Sequence, residues 1–263
     1  MQQALKRRCS DVDNKVMDFV LPLVFVPGLA IGSFLGVVAA RVPLRRSIVR
    51  PGSACMSCEA PIRWYDNVPV LSYALLRGRC RRCGTRIPPR DLAIELATAL
   101  LLVGCVLAFG LTAKTAAAAI ACAALVVATA TDLERRIVPN RVVLPAAAAV
   151  FAIQTVFYPS PEWTIGAVGA AGFLFLAALA YPGGMGMGDV KLALLIGALL
   201  GRTTPVGIML GLLLALIPSV VLFARHGARA RRLAIPFAPF LAAGAVIALF
   251  AGESILHAYL NLT

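Results

Sequence analysis

The sequence predicts an all-α polytopic membrane protein, with about eight transmembrane helices and a small cytoplasmic zinc-binding lobe between the first and the second. Three observations lead there. Of 263 residues, 60% are hydrophobic and 14% are charged, and the mean hydropathy is +0.87; a soluble domain carries about 25% charged and 45–50% apolar residues. The apolar residues fall in long blocks, most of them close to the ~20 residues that cross a bilayer as a helix. One polar stretch interrupts the blocks, and it holds four of the seven cysteines as two Cys-x-x-Cys pairs.

Taken in order, the blocks are 18–40, 92–111, 115–131, 142–158, 163–181, 190–201, 205–224 and 235–252. The first ends in Arg41 and not at a small-residue cleavage site, so a retained first helix is expected. Three regions follow: an N-terminal segment with helix 1 at 1–40, a four-cysteine lobe at 41–91, and a membrane domain with helices 2–8 at 92–263. The sixth block is short, because only ten residues separate Lys191 from Arg202. As a helix they cover about 15 Å.

Charge decides whether that block crosses. With eight spans and the lobe in the cytoplasm, the cytoplasmic segments hold the 11 arginines of 41–90. They also hold Arg135, Arg136, Arg141 and Lys191, and the cluster Arg225, Arg229, Arg231 and Arg232. Only Lys6, Arg7, Arg8, Lys15, Lys114 and Arg202 remain outside. If the sixth block did not cross, the Arg225–Arg232 cluster would lie outside, against the positive-inside rule. Both termini are therefore expected outside. A short helix is tolerated where neighbours bury it or the bilayer thins. The net charge of +13 is accounted for by these loops and by contacts with membrane lipids, so no nucleic-acid partner is expected.

This topology puts Asp132, after the third span, and Asp189, before the sixth, at the same cytoplasmic edge. Carboxylates near the membrane interior are costly and usually functional. Glu162 and Glu253 sit near outer ends and read as solvated, and Glu134 belongs to the charged run Glu134-Arg135-Arg136. Ahead of Asp189 stand Gly183, Gly184, Gly186 and Gly188, which remove side-chain bulk and let another strand approach. A flexible loop with an aspartate helix cap is the competing account of that segment. Gly166, Gly169 and Gly172 in the fifth span read as close-packing positions. Two carboxylates that share a site do not both ionise easily, so a pair holds one proton between them. Such a pair activates water while its protonated partner polarises a carbonyl.

The lobe reads Cys55-Met-Ser-Cys58 and, 21 residues later, Cys80-Arg-Arg-Cys83. Paired knuckles of this kind point to a four-thiolate zinc site, with a redox dithiol as the alternative. A cytoplasmic location disfavours disulfides. The aromatic and apolar stretch Ile62–Tyr73 between the knuckles is expected to pack on the lobe or to dock at the membrane surface. Cys105 and Cys122 read as small packing residues inside helices.

Together these residues resemble the type IV prepilin peptidases. The resemblance runs from Gly32-Ser33-Phe34-Leu35 and Arg41-Val42-Pro43 through both knuckles and Arg63–Tyr73. It continues with Glu95-Leu96-Ala97-Thr98-Ala99, Asp132 and Ile137-Val138-Pro139-Asn140. Gly186-Met187-Gly188-Asp189-Val190-Lys191 matches the family's G-x-G-D pattern followed by lysine. The resemblance implies an intramembrane aspartyl protease of the bacterial cytoplasmic membrane, with Asp132 and Asp189 as the catalytic pair. Gly186, Gly188 and Lys191 would support that pair. The substrates would be prepilin or pseudopilin precursors, cut just before their hydrophobic helix. Many members also methylate the new N-terminus with S-adenosylmethionine, in the cytoplasmic lobe. Met56, Gly36 and Ala238 depart from the family's usual proline, asparagine and glycine. Two other functions compete. A transporter would use the aspartates as ion sites, and a zinc-stabilised scaffold would tolerate Asp189→Asn.

Overall fold

The computed structural model describes residues 2–50, 52–55, 57–181, 185–227 and 235–261, without the side chains of residues 2–20, Trp64 and His226. Met56, Gly183, Gly184, Arg229, Arg231 and Arg232 lie outside the described residues, as do the side chains of Lys6, Arg7, Arg8, Cys9 and Lys15. The described chain is helical, with isolated bridges and no strand. Its helices are α1 (Gln2–Arg41), α2 (Leu71–Leu75), α3 (Pro89–Phe109), α4 (Ala113–Arg135), α5 (Asn140–Phe157), α6 (Glu162–Ala180), α7 (Met187–Leu200), α8 (Thr204–His226) and α9 (Ala238–Leu260).

Seven stretches have the length and hydropathy of a membrane span. The sixth of them, Met187–Arg225, contains two helices, because Gly201 takes a φ of 55° between α7 and α8. The protein is thus an all-α multi-pass membrane protein whose apolar blocks form eight helices among the described residues. The boundaries differ most at α1, expected at 18–40 and observed at Gln2–Arg41, and next at α9, expected at 235–252 and observed at 238–260. Proline near its first turn suits a helix start and keeps the preceding residues out of it. At the other end Glu253 ends the apolar run without ending the helix, because it pairs with Arg202 at 2.5–2.9 Å.

The chain divides into two compact units, residues 1–36 with 49–107 and residues 37–48 with 108–263. In the second unit α7 is the central helix, touching α4, α5, α6, α8 and α9. Leu192, Leu195 and Ile196 on it are 0% exposed. Its 14 residues span only about 21 Å. Neighbours on several sides bury it, the condition under which a helix this short is tolerated in a bilayer. The outer faces carry exposed Val156, Phe157, Ile165, Phe173, Leu176 and Ile217, as expected where lipid is the solvent.

Direction follows from the contacts. The start of α7 faces the end of α4 through Asp189 and Asp132, while the residue after α7, Gly201, lies against Trp163 at the start of α6. From there α8 returns, with Gly207 against Ala245 and Gly211 against Leu241 of α9. Residues 132–140, 185–189 and 237–238 therefore share one end of this bundle.

Close approach of α6 and α7 rests on glycine. A Cβ at Gly166 would stand 2.7 Å from the Gly197 carbonyl and 2.9 Å from that of Gly201. Gly169 and Gly172 do not share this role, since a Cβ at either meets nothing within 4 Å. The buried face of α6 follows Trp163, Gly166, Ala167, Ala170 and Leu174, a helical spacing that leaves Gly169 and Gly172 off it. Gly166→Ala is expected to destabilise the protein by about 1–3 kcal/mol. The check is its unfolding midpoint in detergent, with Gly169→Ala as a control that shifts little.

Candidate active site and cysteine cluster

Asp132 and Asp189 come together from α4 and α7. They are 6% and 9% exposed, and they lie close enough to interact electrostatically. Each is held by its own helix and by a neighbour. Asp132 lies one turn from the end of α4, where Arg136 adopts a φ of 55° and its N–H bonds the Asp132 carbonyl at 2.9 Å. The Asp132 carboxylate accepts the backbone N–H of Ala238 at 3.0 Å, and Phe237 contributes a second backbone donor. These are free N–H groups at the start of α9, which suit a carboxylate.

Asp189 occupies the third position of α7, not its cap. Gly186 is the capping residue, with extended backbone and no side-chain cap, and the Asp189 N–H bonds its carbonyl at 3.1 Å. The cap alternative for Asp189 is thereby answered. Gly188 has a different reason to be glycine. A Cβ there would lie 2.8 Å from the Cβ of Val138, so its absence lets the α4–α5 connection close over the start of α7. Three residues on, Lys191 Nζ donates to Asn140 Oδ1 at 3.0 Å. The segments 137–140 and 186–191, far apart in sequence, are thus one local structure around Asp189.

Three features of this site escaped sequence reasoning. The donors to Asp132 are backbone groups of Phe237 and Ala238, and backbone chemistry leaves no residue signature. The available signal was the pair Pro236 and Pro239 marking a helix start. Because the donor is the N–H, alanine at 238 supplies it as well as glycine does. Val138 behind Gly188 and Asn140 under Lys191 were visible as a motif, but not as contacts.

The four knuckle cysteines also converge. Their sulfurs lie within 4.8 Å of one another, with Cys55 and Cys83 3.7 Å apart, and the cluster can hold a metal ion. A tetrahedral zinc with Zn–S of ≈ 2.3 Å needs sulfurs about 3.8 Å apart. The two knuckles share one backbone pattern. Cys55 N–H bonds Ala60 and Cys80 N–H bonds Thr85, while Glu59 and Gly84 return N–H bonds to the carbonyls of Cys55 and Cys80. Glu59 (φ 54°) and Gly84 (φ 70°) make equivalent turns. The sulfurs have unequal surroundings. The Thr85 hydroxyl and N–H push Cys83 down to about 6, and the N–H groups of Cys58 and Ser57 lower Cys55. Against the lowering pull of the Ala60 N–H, desolvation and the sulfurs of Cys55, Cys83 and Cys80 push Cys58 up to about 11. Four sulfurs this close ionise together only around a cation.

The stretch between the knuckles packs on the lobe, the first of its two expected alternatives. Arg81 of the second knuckle donates to both Asp66 carboxylate oxygens at 2.7–3.1 Å. Arg63 and Arg81 each lie 5.8 Å from the centre of the Tyr65 ring.

Residues 26–109 match the bacterial peptidase A24 N-terminal domain, and residues 119–224 match the type IV leader peptidase family. A prepilin leader peptidase/N-methyltransferase of Bacillus subtilis (strain 168) is 35% identical over 256 residues, covering 92% of this chain and 99% of that protein. One of Burkholderia pseudomallei (strain 1026b) is 34% identical, covering 88% and 85%, and one of Neisseria gonorrhoeae is 32% identical, covering 91% and 93%. No solved structure matches the chain. The buried aspartates on α4 and α7 fall inside the second match and the cysteine cluster inside the first, and the chain belongs to the type IV leader peptidase family.

Proposed function

We propose that the protein removes the basic leader from prepilin or pseudopilin precursors and methylates the new N-terminus, with Asp132 and Asp189 as the hydrolytic pair. The observation that carries this is the burial of both carboxylates at one end of a membrane-embedded bundle. One carboxylate takes a proton from water as its oxygen attacks the scissile carbonyl. The other gives its proton to the departing amide nitrogen, so the C–N bond breaks with the protons balanced. The backbone donors of Phe237 and Ala238 orient Asp132. Gly186 leaves the space beside the Asp189 carboxylate free of a side chain, Gly188 admits Val138 against the start of α7, and Lys191 fixes that start on α5.

In this proposal the lobe at 41–91 and both aspartates lie on the cytoplasmic side of the bacterial inner membrane, with both termini outside. Zinc is the ion that suits Cys55, Cys58, Cys80 and Cys83, on donor type and sulfur spacing. Its work there is structural. S-adenosylmethionine supplies the methyl group when it binds.

The test of proteolysis is a shift in precursor mass on incubation with the purified protein in detergent. A transporter predicts that uptake, and not precursor size, depends on the aspartates. Gly188→Ala is expected to lower the leader-removal rate by about tenfold or more, by driving a methyl group into Val138 and displacing Asp189. Adding Val138→Gly removes the clashing atom and should restore most of the lost rate, which a rate assay of the single and double variants checks.

A further inference from the structure

Unit 1 contains a carboxylate within a candidate membrane span that the hydrolytic site does not use. Glu95 lies on α3, six residues after its first, or about 9 Å into a membrane span. A carboxylate at such a depth usually faces a partner or a ligand. Its partners are donors without full charge. The Val70 N–H reaches Oε2 at 2.8 Å and the Ser33 hydroxyl of α1 donates to the same carboxylate.

The other carboxylates described between 49 and 107 are occupied or solvated. Asp66 holds Arg81, Asp91 holds Arg90 at 3.0 Å, and Glu59 is exposed in its knuckle turn. Among the described residues no cation pairs with Glu95. Asp91 stands one turn earlier on the same helix and adds negative potential there.

The surroundings of Glu95 are built at a cost. Val70, a β-branched residue, has a φ of 59° and a ψ of −49°, with the Leu71 N–H bonded back to the Pro69 carbonyl, the rare strained form of the γ-turn. That turn is what aims the Val70 N–H at Glu95. Strain kept at a polar site is a pointer to function. α1 presses close, since a Cβ on Gly32 would lie 2.6 Å from the Glu95 Cα. One turn further on the same face, Gly36 is buried, yet a Cβ there would meet nothing within 4 Å. No described side chain therefore fills the space beside Gly36, and Glu95 itself is half-buried.

We infer that Glu95 binds the free N-terminal ammonium of the processed membrane helix, the amine that receives the methyl group. This rests on the proposed function, and it adds the group that recognises the product. The chemistry matches: the ligand is a single positive charge at the very start of an apolar helix, so it sits just inside the membrane boundary. A carboxylate with two fixed donors and no resident cation accepts it, and the apolar body of the ligand stays in lipid.

The test measures binding of two synthetic apolar helices to the full-length protein in detergent at pH 6.5, where an α-amine is charged. One helix has a free N-terminus and its twin is N-acetylated. The wild type should prefer the free amine by about tenfold or more. Glu95→Gln keeps acceptors for Val70 and Ser33, so the seam survives; it should remove the preference while leaving affinity for the acetylated twin unchanged. Equal affinity of the two helices for the wild type, or an undiminished preference in Glu95→Gln, overturns the inference. Leader removal is assayed in parallel on both proteins. Its absence from the wild type would refute the proposed function, whereas intact removal with an unchanged amine preference refutes the role of Glu95 alone.

Discussion

Asp189→Asn is expected to cut the rate of leader removal by about 10³-fold or more, and Asp132→Asn to do the same. Asparagine keeps the shape of each side chain and its hydrogen-bond acceptor, so the start of α9 can still donate to residue 132 and the fold should survive. What is lost is the ability to carry a proton. Because a shared-proton pair works as a unit, the double variant should be little worse than either single one. Independent roles would instead multiply, giving a double variant about 10³-fold below the singles. Single-turnover rates on one precursor measure this, with the unfolding midpoint in detergent as the control for fold.

The second large effect concerns the cysteine cluster. The protein should contain about one zinc per chain, and replacing Cys80 and Cys83 by serine should reduce that to none. Structural zinc is worth ≈ 10–16 kcal/mol in small peptides, far more than a lobe of this size gains from its own core. Beyond the metal, the two knuckles are held by a few backbone bonds and by the Asp66–Arg81 pair. Loss of zinc should therefore open the lobe to trypsin at Arg79, Arg81 and Arg82, which limited digestion reads directly. Leader removal should continue, because the groups recorded against Asp132 and Asp189, at Arg136, Gly186, Phe237 and Ala238, all belong to the second unit. Zinc retained by the double variant would contradict the ligand set.

Much of this was legible in the sequence for physical reasons. Long apolar blocks have one stable solution in a bilayer, so the helices were readable to within a few residues except at the start of α1 and the end of α9. The short α7 was readable as an apolar block, but its length argued against a crossing and the charge count for one. Metal-ligand spacing is local, and the knuckles were readable for that reason. The aspartates stood out because lipid penalises a carboxylate so heavily. What stayed hidden was whatever depends on three-dimensional register. Gly166 and Gly169 look alike in sequence, yet only Gly166 faces α7. The backbone donors to Asp132 have no side-chain signature, and the γ-turn at Val70 occurs at a residue type that normally avoids it. Glu95 was visible as an acid in a span, but its clasp of α1 and the cysteine lobe was not.

The most direct measurement is the mass of a leader-bearing precursor after incubation with purified protein in detergent. The wild type should release the leader, and neither Asp132→Asn nor Asp189→Asn should do so. Release of the leader by either variant at a rate close to the wild type would contradict the assignment of the pair.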